Sequence, residues 1–296
     1  MPSSLAGRHD NISFVRFILT VRRAFRLADS AVITGAMSQV ELLFLGTGTS
    51  AGVPMIGCYC EVCTSADPHD RRMRPSVVIS YNGTRVLVDT TPELRLQCVA
   101  HHVDMVDAVV FTHAHADHIM GLDDVRRFNA LRKGPLDVWA DATTHKTVQG
   151  SFSYAFREPT PEQKVFRPHL QAKWIEGPFE IAGMTWRPVP LFHGQMPVLG
   201  FRVGNLAYCT DVSEIPESSY AMLEGLDVLV LDALQYKRHT THFSVEEAIE
   251  AAGRIKAKTT LFTHIAHALG HEKTNAQLPA SMQLAFDGQR VVARGT

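Results

Sequence analysis

The sequence predicts an α/β (α+β) fold in which a mixed β-sheet is covered by helices. Two observations carry this. A hairpin signal comes early, and later apolar runs are separated by segments of helix length. The 296 residues are enough for one large domain with a sizeable core. With no internal repeat, low-complexity tract or long linker visible, a single domain over 37–296 is the simplest organisation.

Taken in order, residues 1–36 stand apart as an N-terminal extension. Ile12 to Leu27 mixes apolar residues with Arg16, Arg22, Arg23 and Arg26. That pattern suits a targeting or amphipathic surface segment, or equally translated sequence upstream of Met37. The arginines interrupt the apolar stretch that an export signal needs, so the cytoplasm is the expected location.

Glu41 to Leu45 reads as a strand running into a glycine-rich loop, Gly46 to Gly57. Ser76 to Tyr81 and Thr84 to Asp89 flank Asn82-Gly83, a dipeptide suited to a two-residue type I′ turn. Further strands are expected at Ala108 to Phe111, Asp137 to Ala140, Met184 to Pro190, Leu199 to Val203, Asp227 to Leu231 and Thr259 to Phe262. Helices are expected at Pro92 to Ala100, Asp123 to Leu131, Ala142 to Phe156, Pro216 to Glu224 and Val245 to Lys256. The last starts from Ser244 as N-cap, with Glu246 and Glu247 in its first turn.

Composition narrows the function. Hydrophobic residues make up 45% and charged residues 20%, and 29 Lys+Arg against 30 Asp+Glu give a net charge of -1. A near-neutral chain lacks the field that gathers polyanions, which argues against a nucleic-acid partner and for a small substrate. No run approaches the roughly 18 apolar residues of a membrane span. Of five cysteines, Cys58, Cys60 and Cys63 crowd together. An odd count with such clustering suits a metal site in a reducing compartment better than disulfides. Cys98 and Cys209 read as core thiols.

Thr112-His113-Ala114-His115-Ala116-Asp117-His118 follows a strand directly. Four ionisable side chains in six residues are costly to bury unless paired or metallated, so isolated solvated histidines explain the segment poorly. Further donors follow strand ends downstream: His193, Asp211 and His264. Each alone would be an ordinary turn residue; together with the first motif they complete an inventory for two cations, with Asp211 the candidate bridge.

With these residues the sequence resembles the metallo-β-lactamase-fold hydrolases, from Gln39 to about Val292. The resemblance implies an αββα sandwich of two mixed sheets flanked by helices, with the metals at the rim. It also implies that His113, His115 and His193 hold one metal, that Asp117, His118 and His264 hold the other, and that Asp211 bridges them. Asp89, after Val86 to Val88, matches the family's strand-end aspartate and would orient a metal ligand from behind.

Cys58-x-Cys60-x2-Cys63 supplies three thiolates, and His267, three residues after His264, could complete a four-ligand structural zinc site. The glycine-rich loop is no phosphate-cradling P-loop, because Cys58 and Tyr59 stand where Lys and Ser/Thr belong. GTGTSAGVP, IGCYCEVC, THAHADH, the lone His193, YCTD and THIAH together resemble the phosphoribosyl 1,2-cyclic phosphate phosphodiesterases. That resemblance implies two catalytic metals, commonly manganese, beside one structural zinc. It also implies opening of a cyclic phosphodiester by hydroxide formed at the metal pair. His242 in THFSVEEA would be the general acid, with His239 a weaker candidate.

Alternatives within the fold differ by visible features. A tRNA 3′-processing nuclease shares the metal motif, but no basic arm segment is present. A glyoxalase-type thioesterase carries more chain after the position of His264. A secreted β-lactamase needs an export signal. A non-catalytic relative from pyrroloquinoline quinone biosynthesis shares the cysteine cluster, but the intact HxHxDH argues against it. Arg71, Arg72 and Arg74 read as a solvated basic run rather than a phosphate clamp. Mixed His/Asp donors leave manganese and zinc both open at the catalytic pair, and the sequence leaves a homodimer open.

Overall fold

The computed structural model describes residues 39–158 and 166–295; the extension expected at 1–36 lies outside the described residues. The first sheet contains β1 (Gln39–Gly46), β2 (Ser76–Tyr81), β3 (Thr84–Val88), β4 (Ala108–Val110), β5 (Leu136–Ala140) and β6 (Leu170–Trp174). The second contains β7 (Phe179–Ile181), β8 (Met184–His193), β9 (Met196–Val203), β10 (Leu206–Cys209), β11 (Val228–Asp232), β12 (Thr259–Thr263) and β13 (Met282–Leu284). β14 (Arg290–Arg294) returns to the first sheet and pairs with β1, so the orders are β14-β1-β2-β3-β4-β5-β6 and β13-β12-β11-β10-β9-β8-β7.

Both sheets are mixed in the same way. From β14 to β3 the pairings are antiparallel, and from β3 to β6 they are parallel. From β7 to β10 they are antiparallel, and from β10 to β13 parallel. The carboxyl ends of the parallel strands are where open α/β sheets present ligand-binding loops.

Strands buried on both faces explain the uninterrupted apolar runs of the sequence. In β1, Val40, Leu42 and Phe44 enter the core between the sheets, while Leu43 and Leu45 face the helices outside. In β11, Val228 and Val230 face inward and Leu229 and Leu231 outward. Tyr81 and Trp186 link the layers: Tyr81 donates to the Ile181 carbonyl at 2.8 Å and accepts from the Trp186 indole at 3.1 Å.

The outer layers are α1 (Leu94–Ala100), α2 (Ala116–Ile119), α3 (Arg126–Arg132) and α4 (Ala142–Ser151) on the first half, with α5 (Glu217–Tyr220), α6 (Val245–Ile255) and α7 (His271–Asn275) on the second. α6 buries Val245, Ala248, Ala251, Ala252 and Ile255 on one stripe. It begins with a capping box in which Ser244 and Glu247 bond reciprocally, as the sequence predicts for this N-terminus. Asn82 and Gly83 both have positive φ and close a two-residue hairpin, also as expected.

Boundaries differ elsewhere. The helix expected over Ala142 to Phe156 stops at Ser151, where Phe152 turns into the core, and resumes as a short 3-10 segment, Ser153–Phe156. The helix expected from Asp123 is a 3-10 turn, Leu122–Val125, before α3. β6, β7, β13, β14 and the short α2 and α7 carry too little local periodicity to have been expected.

Candidate metal centre

The site is assembled at strand ends of both sheets. His113 and His115 follow β4, with Asp117 and His118 on α2; His193 ends β8, Asp211 lies two residues beyond β10, and His264 follows β12. Three of the eight described non-glycine residues with positive φ are Asp89, Asp211 and His264, at φ 63, 57 and 59. A left-handed residue just past a strand turns the chain sharply and aims its side chain back across the rim.

The structure brings the expected residues into two groups. Potential ligand atoms of His113, His115, His193 and Asp211 all lie within 4.8 Å of one another, as do those of Asp117, His118, Asp211 and His264. Asp211 belongs to both. Its Oδ1 is 3.4 Å from His118 Nε2, and its Oδ2 is 3.2 Å from His264 Nε2 and 3.9 Å from His113 Nε2. Asp117 Oδ2 reaches His118 and His264 at 3.5 and 3.8 Å. All these groups are buried except the exposed His115 and the partly exposed Asp117.

The residues fit a pair of cations. His118 Nε2 and His264 Nε2 are buried without any hydrogen-bond partner. Leaving such an atom unsatisfied costs about 1–3 kcal/mol, which a coordinated cation removes. The donor chemistry agrees. Burial raises the Asp211 carboxyl, but His264, His118 and His113 outweigh it and hold the group well below the usual range. Burial, with His118 beside it, keeps His113 well below the usual histidine range, and burial brings His193 down to about 4. His118 differs: burial lowers it, but Asp211 and Asp89 outweigh burial and hold it well above the usual histidine range, so a cation at its Nε2 would displace a proton. Carboxylates and neutral imidazoles are the forms that bind metal.

Most of these imidazoles are braced from behind. His118 Nδ1 donates to Asp89 at 2.8 Å, and Asp89 also accepts from the Thr112 backbone N–H at 2.9 Å and hydroxyl at 2.8 Å. His193 Nδ1 donates to the Thr241 carbonyl at 2.6 Å. These bonds fix which ring nitrogen faces the centre.

His242 lies beside the two groups. Its ring centroid is 4.5 Å from those of His193 and His264, and its Nδ1 donates to Asp232 Oδ2 at 2.6 Å. The exposed His239 is 5.4 Å away, and its Nδ1 accepts from the Thr241 backbone N–H. Asp232 escapes sequence reasoning. It ends the apolar run of β11 much as Asp89 follows that of β3, and that parallel is the signal that could have found it.

The cysteine cluster comes together with His267. Ligand atoms of Cys58, Cys60, Cys63 and His267 lie within 4.8 Å of one another, with His267 Nδ1 3.3 Å from both Cys58 and Cys60 Sγ. The Cys63 backbone N–H and His267 bring the Cys60 thiol down to about 6, whereas burial pushes Cys63 up to about 11. Three sulfurs and one imidazole make a soft, four-ligand set suited to zinc. Cys98 and Cys209 are buried thiols away from it.

The basic run requires correction. Arg72 is 2% exposed, bonding to Thr47 at 3.0 Å, the Ala285 carbonyl at 2.5 Å and His271 at 3.2 Å. Arg74 pairs with Glu93 and donates to the Ser50 carbonyl, so only Arg71 is solvent-facing. The partners that bury Arg72 come from distant parts of the chain.

The model of the β-lactamase superfamily domain matches residues 84–265. The chain belongs to the β-lactamase superfamily. A crystal structure described as a new diphosphatase from the PhnP family aligns to this metallo-β-lactamase-fold hydrolase with a TM-score of 0.81 and 43% identity, covering 87% of this chain and 99% of that one. An octanoyltransferase from Porphyromonas gingivalis is 34% identical over 257 residues, 86% of this chain; the chain spans about half, 51%, of that protein's length. A coenzyme PQQ synthesis protein B from Methylorubrum extorquens is 27% identical over 225 residues, covering 65% of this chain and 72% of that protein. The metallo-hydrolase fold accounts for the His/Asp groups, and a divalent metal is the expected occupant of such a site. Among the described residues no helix is long and apolar enough to cross a membrane.

Proposed function

We propose that this metallo-hydrolase is a phosphodiesterase that opens a small cyclic phosphodiester, phosphoribosyl 1,2-cyclic phosphate being the first candidate, in the cytoplasm. The observation that carries the reading is Asp211, shared by two His/Asp groups beside an aspartate-braced histidine. His113, His115 and His193 would hold one ion and Asp117, His118 and His264 the other, with Asp211 between; manganese is proposed for this pair, and zinc for Cys58, Cys60, Cys63 and His267. When bound, the pair supplies a water of lowered pKa and positive charge opposite developing phosphoryl charge.

The protein's own groups do the rest. Asp89 and the Thr241 carbonyl hold His118 and His193 in single orientations. Asp232 accepts from His242 Nδ1 and from the Val212 backbone N–H at 2.8 Å. It thereby directs His242 Nε2 away from itself; burial holds His242 below the usual histidine range, so its protonated form, held against Asp232, gives up a proton readily to a departing ribose oxygen. Two features of the sequence support a small ester over a polynucleotide: the net charge of -1 and the motifs that resemble those of cyclic phosphodiesterases.

A second reading, hydrolysis of a diphosphate, is favoured by the 43% identical diphosphatase. It uses the same residues with phosphate as the leaving group. The deciding assay is turnover of ribose 1,2-cyclic phosphate 5-phosphate, a linear diester and a nucleotide diphosphate by manganese-loaded protein. Preferential opening of the cyclic ester supports the first reading, preferential diphosphate cleavage the second, and silence on all three sinks both.

A further inference from the structure

His264 differs from the other buried histidines around the centre. His118 leans on Asp89, His193 on the Thr241 carbonyl, His242 on Asp232, and His113 Nδ1 is 3.0 Å from the Thr112 hydroxyl. His264 has neither ring nitrogen hydrogen-bonded, and its Nδ1 is buried like its Nε2. A metal-binding imidazole is ordinarily aimed by a group behind its far nitrogen. Here the aim comes from the near-parallel stack on His242, 4.5 Å away, and from the backbone.

That backbone is a left-handed residue opening a four-residue turn whose other end is His267. The Ile265 N–H donates to the Thr47 carbonyl at 2.9 Å, the Thr49 N–H to the Ile265 carbonyl at 3.1 Å, and the Ala266 N–H to the Leu234 carbonyl at 2.9 Å. Thr47 and Thr49 begin the loop that ends in Cys58. The loop therefore grips the turn twice: by backbone pairing near His264, and through Cys58 and Cys60 at His267.

We propose that the Cys58–Cys60–Cys63–His267 cluster is the positioning element for His264, standing in for the missing group behind its ring, so that filling the thiolate site tightens metal binding at the His/Asp pair. The inference rests on the metal assignments proposed above. Because the coupling is between two binding events, it is reciprocal: metals at the His/Asp pair tighten the thiolate site by the same factor.

The test is manganese(II) titration of the full chain, with metal counted per chain, for wild type, His267→Ala, His267→Cys and the control Cys98→Ser. His267→Ala is expected to weaken manganese binding about 10- to 100-fold, the usual effect of losing a group that aims a metal ligand. His267→Cys, which restores four ligands, is expected to recover it, and Cys98→Ser to leave it unchanged. Should His267→Ala not fold, wild-type protein stripped of its thiolate metal by a mercurial is titrated in the same way.

Unchanged manganese affinity after loss of the thiolate metal overturns the inference. So does a wild-type chain that takes no metal on its thiolates. A wild-type chain that binds no metal at the His/Asp groups overturns the proposed function instead.

Discussion

Replacing Asp232 by asparagine isolates the charge behind His242. Asp232 is fully buried, and one oxygen accepts from both His242 at 2.6 Å and the Val212 N–H at 2.8 Å. Burial pushes the Asp232 carboxyl well up, so it is charged chiefly against a protonated His242; an asparagine oxygen in that place keeps both bonds and the side chain's shape but removes that charge. A hydrogen bond to a charged group contributes about 1.5–3 kcal/mol and a neutral one about 0.5–1.5, so the imidazolium loses roughly 1–1.5 kcal/mol. That difference is about a tenfold fall in kcat wherever proton donation limits the rate. The assay compares an alkyl phosphodiester with a nitrophenyl diester, whose departing phenolate needs little protonation. Asp232→Asn is expected to slow the alkyl ester about tenfold and the nitrophenyl ester far less, with metal content unchanged. Equal loss on both substrates, or loss of metal, would refute the proton-delivery role.

His242→Ala should show the same leaving-group pattern with a larger fall in kcat, about 100-fold or more on the alkyl ester, at intact metal content by elemental analysis. Asp211→Ala removes the carboxylate common to both groups, and mass spectrometry of metal content should show loss of the manganese pair together with activity, while zinc stays bound but more weakly than in the wild type. Tyr81→Phe strands the Trp186 indole N–H and the Ile181 carbonyl between the sheets; urea unfolding should show a loss of about 2 kcal/mol with kcat/KM preserved. Asp227 is held well below the usual carboxylate range by Arg294 and then Lys258. A depressed acid adds stability above its ordinary pKa and loses it as pH falls toward the folded value. Thermal melts from pH 7 downward should therefore show wild type converging on Asp227→Asn below about pH 4.

The legible parts of this protein are those written locally. HxHxDH packs its donors into six residues, Asn82-Gly83 carries its turn in two, and Ser244 with Glu247 announces α6. The doubly buried strands were visible as apolar runs, but the order that splits them into two sheets depends on pairings between segments far apart. Asp232 was missed because a lone strand-end aspartate has no local companion; its partner His242 arrives ten residues later. The burial of Arg72 is illegible for the same reason: charge in a basic run looks solvated until Thr47, Ala285 and His271 close around it. Cys58, Cys60, Cys63 and His267 are legible as one site because the three cysteines fall within six residues and one histidine follows a conspicuous turn.

The left-handed backbone at Asp89, Asp211 and His264 sets stability against activity. An ordinary L-residue in that conformation costs on the order of 1–2 kcal/mol, and glycine avoids the cost. Selection for thermal resistance alone would drift toward glycine at the very corners that carry the chemistry, most readily at His264, since aspartate tolerates the conformation better than histidine's larger ring. A stabilised variant of this enzyme should therefore be sought in its cores and outer helices, while these three corners are held fixed.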